Sequence, residues 1–290
     1  MFLSFRRREI FLPQKLITEN NMRISIKILV LAVIGFVQAA CTGNQSRNKE
    51  AIRIGVESGP EYEVALAAQK VAKERYDLDV ELVSFNDYVM PNEALHQGDI
   101  DANVFQNKPY LDVQAKQRDY KFAILGNTFV FPLAGYSRKI KKTTELANGS
   151  TIVIPNDPTN GGRALLLLQN AGLIHLKPGV GLLPTVNDIA GNPKGLKILE
   201  LEAPQLPRAL DDNNVDVAVI NNTFAAPAGL VANRDGLFVE DKDSPYVNII
   251  VSRQDNKEDP RLKKFVESYQ SDEVAKTAEK VFKGGAVKGW

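Results

Sequence analysis

Residues 52–83, IRIGVESGPEYEVALAAQKVAKERYDLDVELV, decide the fold class of this 290-residue chain. The segment 52–56 alternates in polarity as a half-buried strand does, and 78–83 repeats that pattern. Between them, 63–76 places apolar side chains three and four residues apart, the spacing of an amphipathic helix. A strand, a helix and a second strand within about 30 residues form a βαβ unit with parallel strands. The sequence therefore predicts an α/β fold.

The same alternation of strands and helices continues along the rest of the sequence, with no 20–50-residue repeat of the kind that solenoids show. Many short strands between helices indicate two α/β lobes. Further strands are predicted at 102–105, 121–125, 130–136, 151–154, 197–201, 215–220 and 247–252. Helices are predicted at 90–97, 109–117, 260–270 and 272–282, and two others begin at 163 and 205.

Two segments are suited to carry the chain between the lobes. Residues 126–132 lie near the middle of the sequence, and 244–246 would bring the chain back to the first lobe. The first lobe is therefore predicted to comprise 51–128 and 247–290, and the second lobe 129–246. Two crossings make a hinge, and the cleft between the lobes is where a ligand would bind.

An apolar run of ten residues, 28–37, precedes this α/β body. It is too short to span a bilayer, which needs about 20 residues, and it suits the core of a signal peptide. Ala39 and Ala40 then precede Cys41, which resembles a bacterial lipoprotein signal, although Gln38 stands where that signal usually has an apolar residue. We expect Cys41 to be the first mature residue and to carry the lipid.

We expect translation to start at Met22, with 1–21 an extension ahead of a signal peptide at 22–40. Residues 41–50 are hydrophilic without periodicity, which predicts a flexible tether. An N-terminal membrane helix that is never cleaved is the alternative. The first 40 residues hold six basic and two acidic side chains, and the remaining 250 carry a net charge of −3, as in a secreted protein.

Composition and motif content argue against an enzyme. The net charge of +1 provides no basic field for nucleic acid. Cys41 is the only cysteine, which excludes an intrachain disulfide, and His96 and His175 have no partners at metal-ligand spacing. Neither a GxSxG elbow nor a GxxxxGK[ST] phosphate loop occurs. We therefore expect no catalytic residue, no cofactor, no metal site and no nucleic-acid partner.

Polar and aromatic segments that follow strands suit the binding of a small zwitterion. Arginine or helix N-terminal amides bind a carboxylate, asparagine and carbonyl oxygens bind an ammonium, and aromatic rings contact an apolar group. We expect Arg163 to begin a helix whose free N–H groups would assist it. The alternatives are a surface turn, core packing of Phe105, or simple helix capping by Asn or Thr. The segments are 84–88, 103–110, 155–163, 219–223 and 245–248.

Together these segments resemble the NlpA lipoprotein family, the methionine-binding components of ABC importers. The likeness runs from about Ile52 to Trp290, nearly the whole mature chain. The matching motifs include DLDVELVSFNDYVMPNEAL at 77–95, GDIDANVFQNKPYL at 98–111, GNTFVFPLAGYS at 126–137, PNDPTN at 155–160, SPYVN at 244–248 and GGAVKGW at 284–290.

The resemblance implies a two-lobed periplasmic-binding-protein fold, with a hinge, that closes on free L-methionine or a close relative. It also implies partners, namely an ABC importer permease and its ATPase. A lipid on Cys41 would hold the protein on the extracytoplasmic, periplasmic face of the cell membrane. The resemblance further assigns ligand-binding positions, carried over residue by residue. They are Tyr88, Phe105 and Tyr110 as walls around the thioether, Arg163 and Asn160 for the carboxylate, Asn221 and Asn248 for the head group, and Asn107 in the same pocket.

One pocket position departs from the family pattern. Asn107 stands where many members have histidine, and asparagine has less apolar area and cannot become cationic. Another apolar amino acid or a methionine-containing dipeptide therefore becomes a possible ligand. Two other functions remain open, a two-lobe enzyme that acts on a small amino acid and a surface adhesin.

The lipid anchor leads to a direct prediction. Replacement of Cys41 by Ala removes the thiol that would carry the lipid, so we expect the mature protein to leave the membrane fraction. Cell fractionation followed by immunoblotting measures this. A Cys41→Ala protein that stays membrane-bound would contradict the anchor and indicate an uncleaved N-terminal helix.

Overall fold

The computed structural model describes residues 51–241 and 244–290. The predictions for the signal peptide, Cys41 and the tether lie outside the described residues. Among the described residues, no helix combines the length and the apolar character needed to cross a membrane.

The described residues form thirteen strands and nine α-helices. Each predicted element has a counterpart among them, although the helix predicted from 163 begins earlier and several short strands and helices were not predicted. One difference lies at 121–136, where the first strand is longer than predicted and the second shorter, because Pro132, which has no N–H, separates them. The strands are β1 Ile52–Glu57, β2 Val80–Phe85, β3 Ala102–Asn107, β4 Phe122–Val130, β5 Ala134–Tyr136, β6 Thr151–Pro155, β7 His175–Leu176, β8 Ile189–Gly191, β9 Lys197–Leu201, β10 Val217–Ile220, β11 Phe238–Val239, β12 Val247–Arg253 and β13 Val287–Lys288. The helices are α1 Pro60–Tyr76, α2 Met90–Gln97, α3 Lys108–Arg118, α4 Pro158–Asn170, α5 Leu206–Ala209, α6 Asn222–Ala225, α7 Ala232–Asp235, α8 Pro260–Tyr269 and α9 Asp272–Val281.

The first sheet has six strands in the order β13-β4-β12-β3-β1-β2. Strand β1 runs parallel to β2 and β3, which confirms the predicted βαβ unit, and β12 runs antiparallel to β3 and β4. Helices α1, α8 and α9 pack together against this sheet. Val64, Phe265 and Val274 of these helices are fully buried in one apolar cluster with Ile54 of β1.

The second sheet has five strands in the order β11-β5-β10-β6-β9. Strand β6 runs parallel to β9 and β10, whereas β5 runs antiparallel to β10 and β11. Helix α4 packs on β6 through an apolar face on which Leu165 and Leu168 contact the cluster of Ile152 and Ile154.

The chain leaves the first sheet after Val130 and enters the second at Ala134, and it returns between Val239 and Val247. The two crossing segments lie side by side, because the N–H of Glu240 donates to the carbonyl oxygen of Leu133 at 2.8 Å. This is a two-lobed α/β architecture. We propose that each sheet is the core of one lobe, with the bounds predicted from the sequence.

The C-terminal residues lie against the end of β4, next to the first crossing. The N–H of Gly289 donates to the carbonyl oxygen of Thr128 at 2.9 Å. The ring of Trp290 meets that of Phe129 edge-on, with a centroid distance of 4.9 Å. The end of the chain is therefore fixed beside the hinge.

Two buried carboxyl groups lie where β1 meets α1, a feature that the sequence did not predict. Glu57 is 0 % exposed, and neither carboxylate oxygen has a hydrogen-bond partner among the described residues. Burial, together with the nearby carboxyl groups of Glu61 and Asp87, raises the pKa of Glu57 to about 9. Burial also raises the pKa of Glu61 to about 7, although the hydroxyl of Thr223 donates a hydrogen bond to it and opposes the rise.

We therefore predict that wild-type stability falls between pH 4.5 and pH 9. The folded protein keeps a proton on Glu57 in that range, whereas the unfolded chain loses it, so rising pH favours unfolding. Glu57→Gln removes this effect. In urea unfolding, we expect the advantage of the variant over wild type to be about 4 kcal/mol larger at pH 8 than at pH 5.

Glu63→Gln provides the matched control, because Glu63 is a nearby glutamate on helix α1 and is exposed. It should leave the free energy of unfolding nearly unchanged at both pH values. An advantage of Glu57→Gln that is equal at pH 5 and pH 8 would show that Glu57 does not hold a proton in the folded state.

Candidate functional site

The polar and aromatic segments meet at a cavity of about 360 Å³ between the two sheets. All eight ligand-binding positions assigned from the sequence lie on its wall. Four further residues line it that the sequence analysis did not assign, namely Gln106, Phe131, Asn222 and Thr223. Gln106 and Asn222 directly follow an assigned residue, and Thr223 is the next residue after Asn222. All three lie in the segments 103–110 and 219–223, so the sequence contained the signal for them. Phe131 lies in the predicted crossing segment and gave no separate signal.

One wall of the cavity is a cluster of three aromatic rings from the first lobe. The centroid of Tyr88 lies 6.0 Å from that of Phe105 and 6.1 Å from that of Tyr110. The hydroxyl of Tyr110 donates to the carbonyl oxygen of Tyr88 at 2.8 Å, which fixes the rings relative to each other. Phe105 is buried and also lines the cavity, so core packing and wall formation occur together. This surface suits an apolar group.

Behind this wall, a buried network of amides fixes the end of β3. The side chains of Asn92 and Gln106 exchange two hydrogen bonds, of 2.9 and 2.7 Å. Asn103 donates to the same oxygen of Asn92 at 3.0 Å. Because these buried groups satisfy each other, they hold Phe105 and Asn107 in place on the same strand.

Asn107 caps helix α3. Its Oδ1 accepts a hydrogen bond from the backbone N–H of Tyr110 at 3.0 Å, the usual N-cap arrangement. Since the cap uses the side-chain oxygen, the amide nitrogen is the group that Asn107 can present to the cavity. It acts there as a hydrogen-bond donor.

The predicted start of α4 at Arg163 is wrong. The helix begins at Pro158 with Asp157 as its N-cap, and Arg163 lies in the second turn. Asp157 accepts from the N–H groups of Thr159 and Asn160 at 3.2 and 2.9 Å, so the first amides are not free for a ligand. An aspartate followed by proline favours this start, because proline is well suited to the first helical position.

Arg163 is 4 % exposed and is held on several sides. Its Nε donates to Oε1 of Glu240 at 2.8 Å, and its Nη2 donates to Oε2 of the same carboxylate and to the carbonyl oxygen of Phe131, the latter at 3.0 Å. The guanidinium carbon lies 4.4 Å from the ring centroid of Tyr246. The Glu240 side chain is only 14 % exposed, although it lies in the loop between β11 and β12.

Asparagine side chains also line the cavity. Asn221 donates to Oδ1 of Asn160 at 2.8 Å, and Asn248 donates to the carbonyl oxygen of Phe105 at 3.0 Å. The Oδ1 atom of Asn221 is buried and has no hydrogen-bond partner in the described part of the chain. It is therefore an acceptor that a ligand N–H group could satisfy.

Three consecutive side chains of the second lobe close the cavity against the first. Asn222 donates to the carbonyl oxygen of Gly285 at 3.1 Å, and the hydroxyl of Thr223 donates to Glu61. The ring of Phe224 lies 5.0 Å from that of Tyr88. Helix α6 therefore bridges the two halves of the site.

Comparison with known proteins is consistent with this architecture. The chain is 62 % identical over 259 residues to the D-methionine-binding lipoprotein MetQ of Escherichia coli (strain K12), covering 89 % of this chain and 96 % of that protein. An ABC transporter periplasmic substrate-binding protein from Coxiella burnetii superposes with a TM-score of 0.79 at 47 % identity, over 82 % of this chain and 100 % of that one.

A nutrient-binding protein from Burkholderia cenocepacia, solved bound to methionine, gives a TM-score of 0.80 at 49 % identity, again over 82 % and 100 % of the two chains. The fold is therefore the two-lobed periplasmic-binding-protein fold. The family model described as NlpA lipoprotein matches residues 52–290. This chain belongs to the NlpA lipoprotein family.

Proposed function

We propose that this protein is the substrate-binding lipoprotein of an ABC amino-acid importer. It captures methionine, or a close relative, by closure of its two lobes and delivers it to a membrane permease driven by its ATPase. The observation that carries this proposal is a cavity that combines a wall of aromatic rings with Arg163 and asparagine side chains. That distribution matches the two ends of an apolar amino acid.

The aromatic wall suits the thioether of methionine. Sulfur makes favourable contacts with aromatic rings, and the flexible side chain adapts to an irregular surface. Tyr88, Phe105 and Tyr110 provide three such rings within about 6 Å of one another. We assign them to the ligand side chain.

The polar side chains of the cavity suit the charged end of the ligand. Arg163 supplies a buried positive charge for the carboxylate, and the unpartnered Oδ1 of Asn221 accepts from the ammonium. Asn160 holds Asn221 in place by accepting its hydrogen bond at 2.8 Å. Asn248 donates to the carbonyl oxygen of Phe105 at 3.0 Å, which fixes its side chain on the cavity wall.

The composition of the cavity favours binding over catalysis. Within the described residues, its lining has no aspartate, glutamate, histidine, lysine or cysteine that could act as a general base or nucleophile. The relatives are named as binding proteins, from Escherichia coli and Burkholderia cenocepacia among others. We therefore propose a transport function, with Cys41 anchoring the protein at the periplasmic face of the membrane.

Binding is tested by calorimetry on protein freed of copurified ligand. We expect heat on titration with methionine, and Arg163→Ala and Asn248→Ala should each weaken binding by about 1–3 kcal/mol, because each leaves a buried polar group unpaired. Arg208→Ala and Asn187→Ala are matched controls, since both side chains are exposed. Absence of heat when the wild-type protein is titrated with millimolar methionine would disprove methionine binding. Unchanged affinity in both site variants would disprove the assigned positions.

The identity of the ligand leads to a separate prediction. L-methionine, D-methionine, leucine and a methionine-containing dipeptide are compared by competition on wild type and on Asn107→His. Histidine is larger than asparagine and reduces the space beside the aromatic wall, so the dipeptide should bind about tenfold more weakly to the variant than to wild type. Equal losses for free methionine and the dipeptide would show that position 107 does not set the ligand size.

A further inference from the structure

Glu240 lies in the returning crossing segment, one residue after β11. Its carboxylate accepts hydrogen bonds from two different residues. It accepts from Nε and Nη2 of Arg163, and it accepts from the backbone N–H of Leu133 at 3.2 Å. Leu133 belongs to the outgoing crossing, and its carbonyl oxygen accepts from the N–H of Glu240 at 2.8 Å. One carboxylate thus joins both crossings to the arginine.

These contacts determine which part of the guanidinium remains for a ligand. Arginine has five N–H donors. Nε uses its single hydrogen on Glu240, and Nη2 uses its two hydrogens on Glu240 and on the carbonyl oxygen of Phe131. None of the described residues forms a hydrogen bond with Nη1 of Arg163. The ring of Tyr246, 4.4 Å from the guanidinium carbon, limits rotation of the group.

We propose that Glu240 is a positioning residue for ligand capture, which holds the Arg163 guanidinium so that Nη1 alone meets a ligand carboxylate. This inference rests on the proposed binding function and adds the role of Glu240 to it. Nη1 alone binds the ligand carboxylate. The pair Nε and Nη2, which could bind a carboxylate through two parallel hydrogen bonds, is already bonded to Glu240.

Two consequences follow from this geometry. First, the site selects a free carboxylate, because the buried arginine carries a fixed donor that an amide or ester would satisfy poorly. Second, the orientation of the guanidinium depends on the hinge, since Glu240, Leu133 and Phe131 all lie in the crossing segments. The arginine that would bind the carboxylate is therefore held by residues of both crossing segments.

The test compares two probes, L-methionine and L-methioninamide, on wild type and Glu240→Gln. The amide keeps the ammonium and the thioether but lacks the carboxylate. Glutamine is nearly isosteric with glutamate, yet it places an N–H₂ group against the arginine donors and turns the guanidinium. We expect methionine affinity to fall at least about tenfold and methioninamide affinity to change less than about threefold.

A double-mutant cycle tests whether Glu240 affects methionine binding through Arg163. In an Arg163→Ala background, adding Glu240→Gln should change methionine affinity less than about threefold, because the group it positions is gone. Glu240→Asp, which keeps the charge, should recover part of the loss seen with Glu240→Gln. Glu279→Gln, at an exposed glutamate, is the matched control for removal of one negative charge.

Thermal unfolding of each variant separates loss of folding from loss of positioning. Equal losses for methionine and methioninamide in a folded Glu240→Gln protein would overturn the proposal, as would an undiminished effect in the Arg163→Ala background. Wild type that binds neither probe would instead refute the proposed function, so the two failures are distinguishable.

Discussion

The buried ion pair between Arg163 and Glu240 is the interaction on which the rest of the site depends. A buried guanidinium is costly unless it is paired and hydrogen-bonded, and here the carboxylate and the carbonyl oxygen of Phe131 supply those bonds. Because the carboxylate also accepts from Leu133, the pair holds helix α4 to both crossing segments. The position of the cavity, at the end of both sheets and beside the hinge, follows from this attachment.

Closure of the site involves a different set of contacts, and they are concentrated in α6. Asn221 lines the cavity, while the next three side chains reach across to the first lobe at Gly285, Glu61 and Tyr88. Adjacent residues of one short segment therefore serve ligand contact and lobe contact. Under the proposed function, a ligand bound at Asn221 would also order the segment that bridges the lobes, which would couple occupancy to closure.

The fold was largely predictable from sequence because it depends on local patterns. Alternating polarity and helical spacing set β1, α1 and β2, and they predicted the parallel pairing of the two strands. The order of the other strands was not predicted, because it depends on contacts between distant segments. The sequence pattern places the start of α4 too late, because aspartate followed by proline suits a tight turn as well as a helix start. The eight site positions came from the family resemblance, since neither spacing nor composition indicates which loops meet across a cleft. Glu57 and Glu240 escaped prediction for a physical reason: burial of a carboxylate depends on tertiary packing, and their neighbours along the chain do not reveal it.

The contact between Trp290 and Phe129 has a practical consequence. Trp290 is the only tryptophan in the sequence, and its ring lies 4.9 Å from that of Phe129, one residue before the end of β4. Indole emission responds to the polarity and packing of its surroundings. The chain therefore carries an intrinsic fluorophore beside its hinge, which allows bending of the hinge to be followed optically, in real time and without a chemical label.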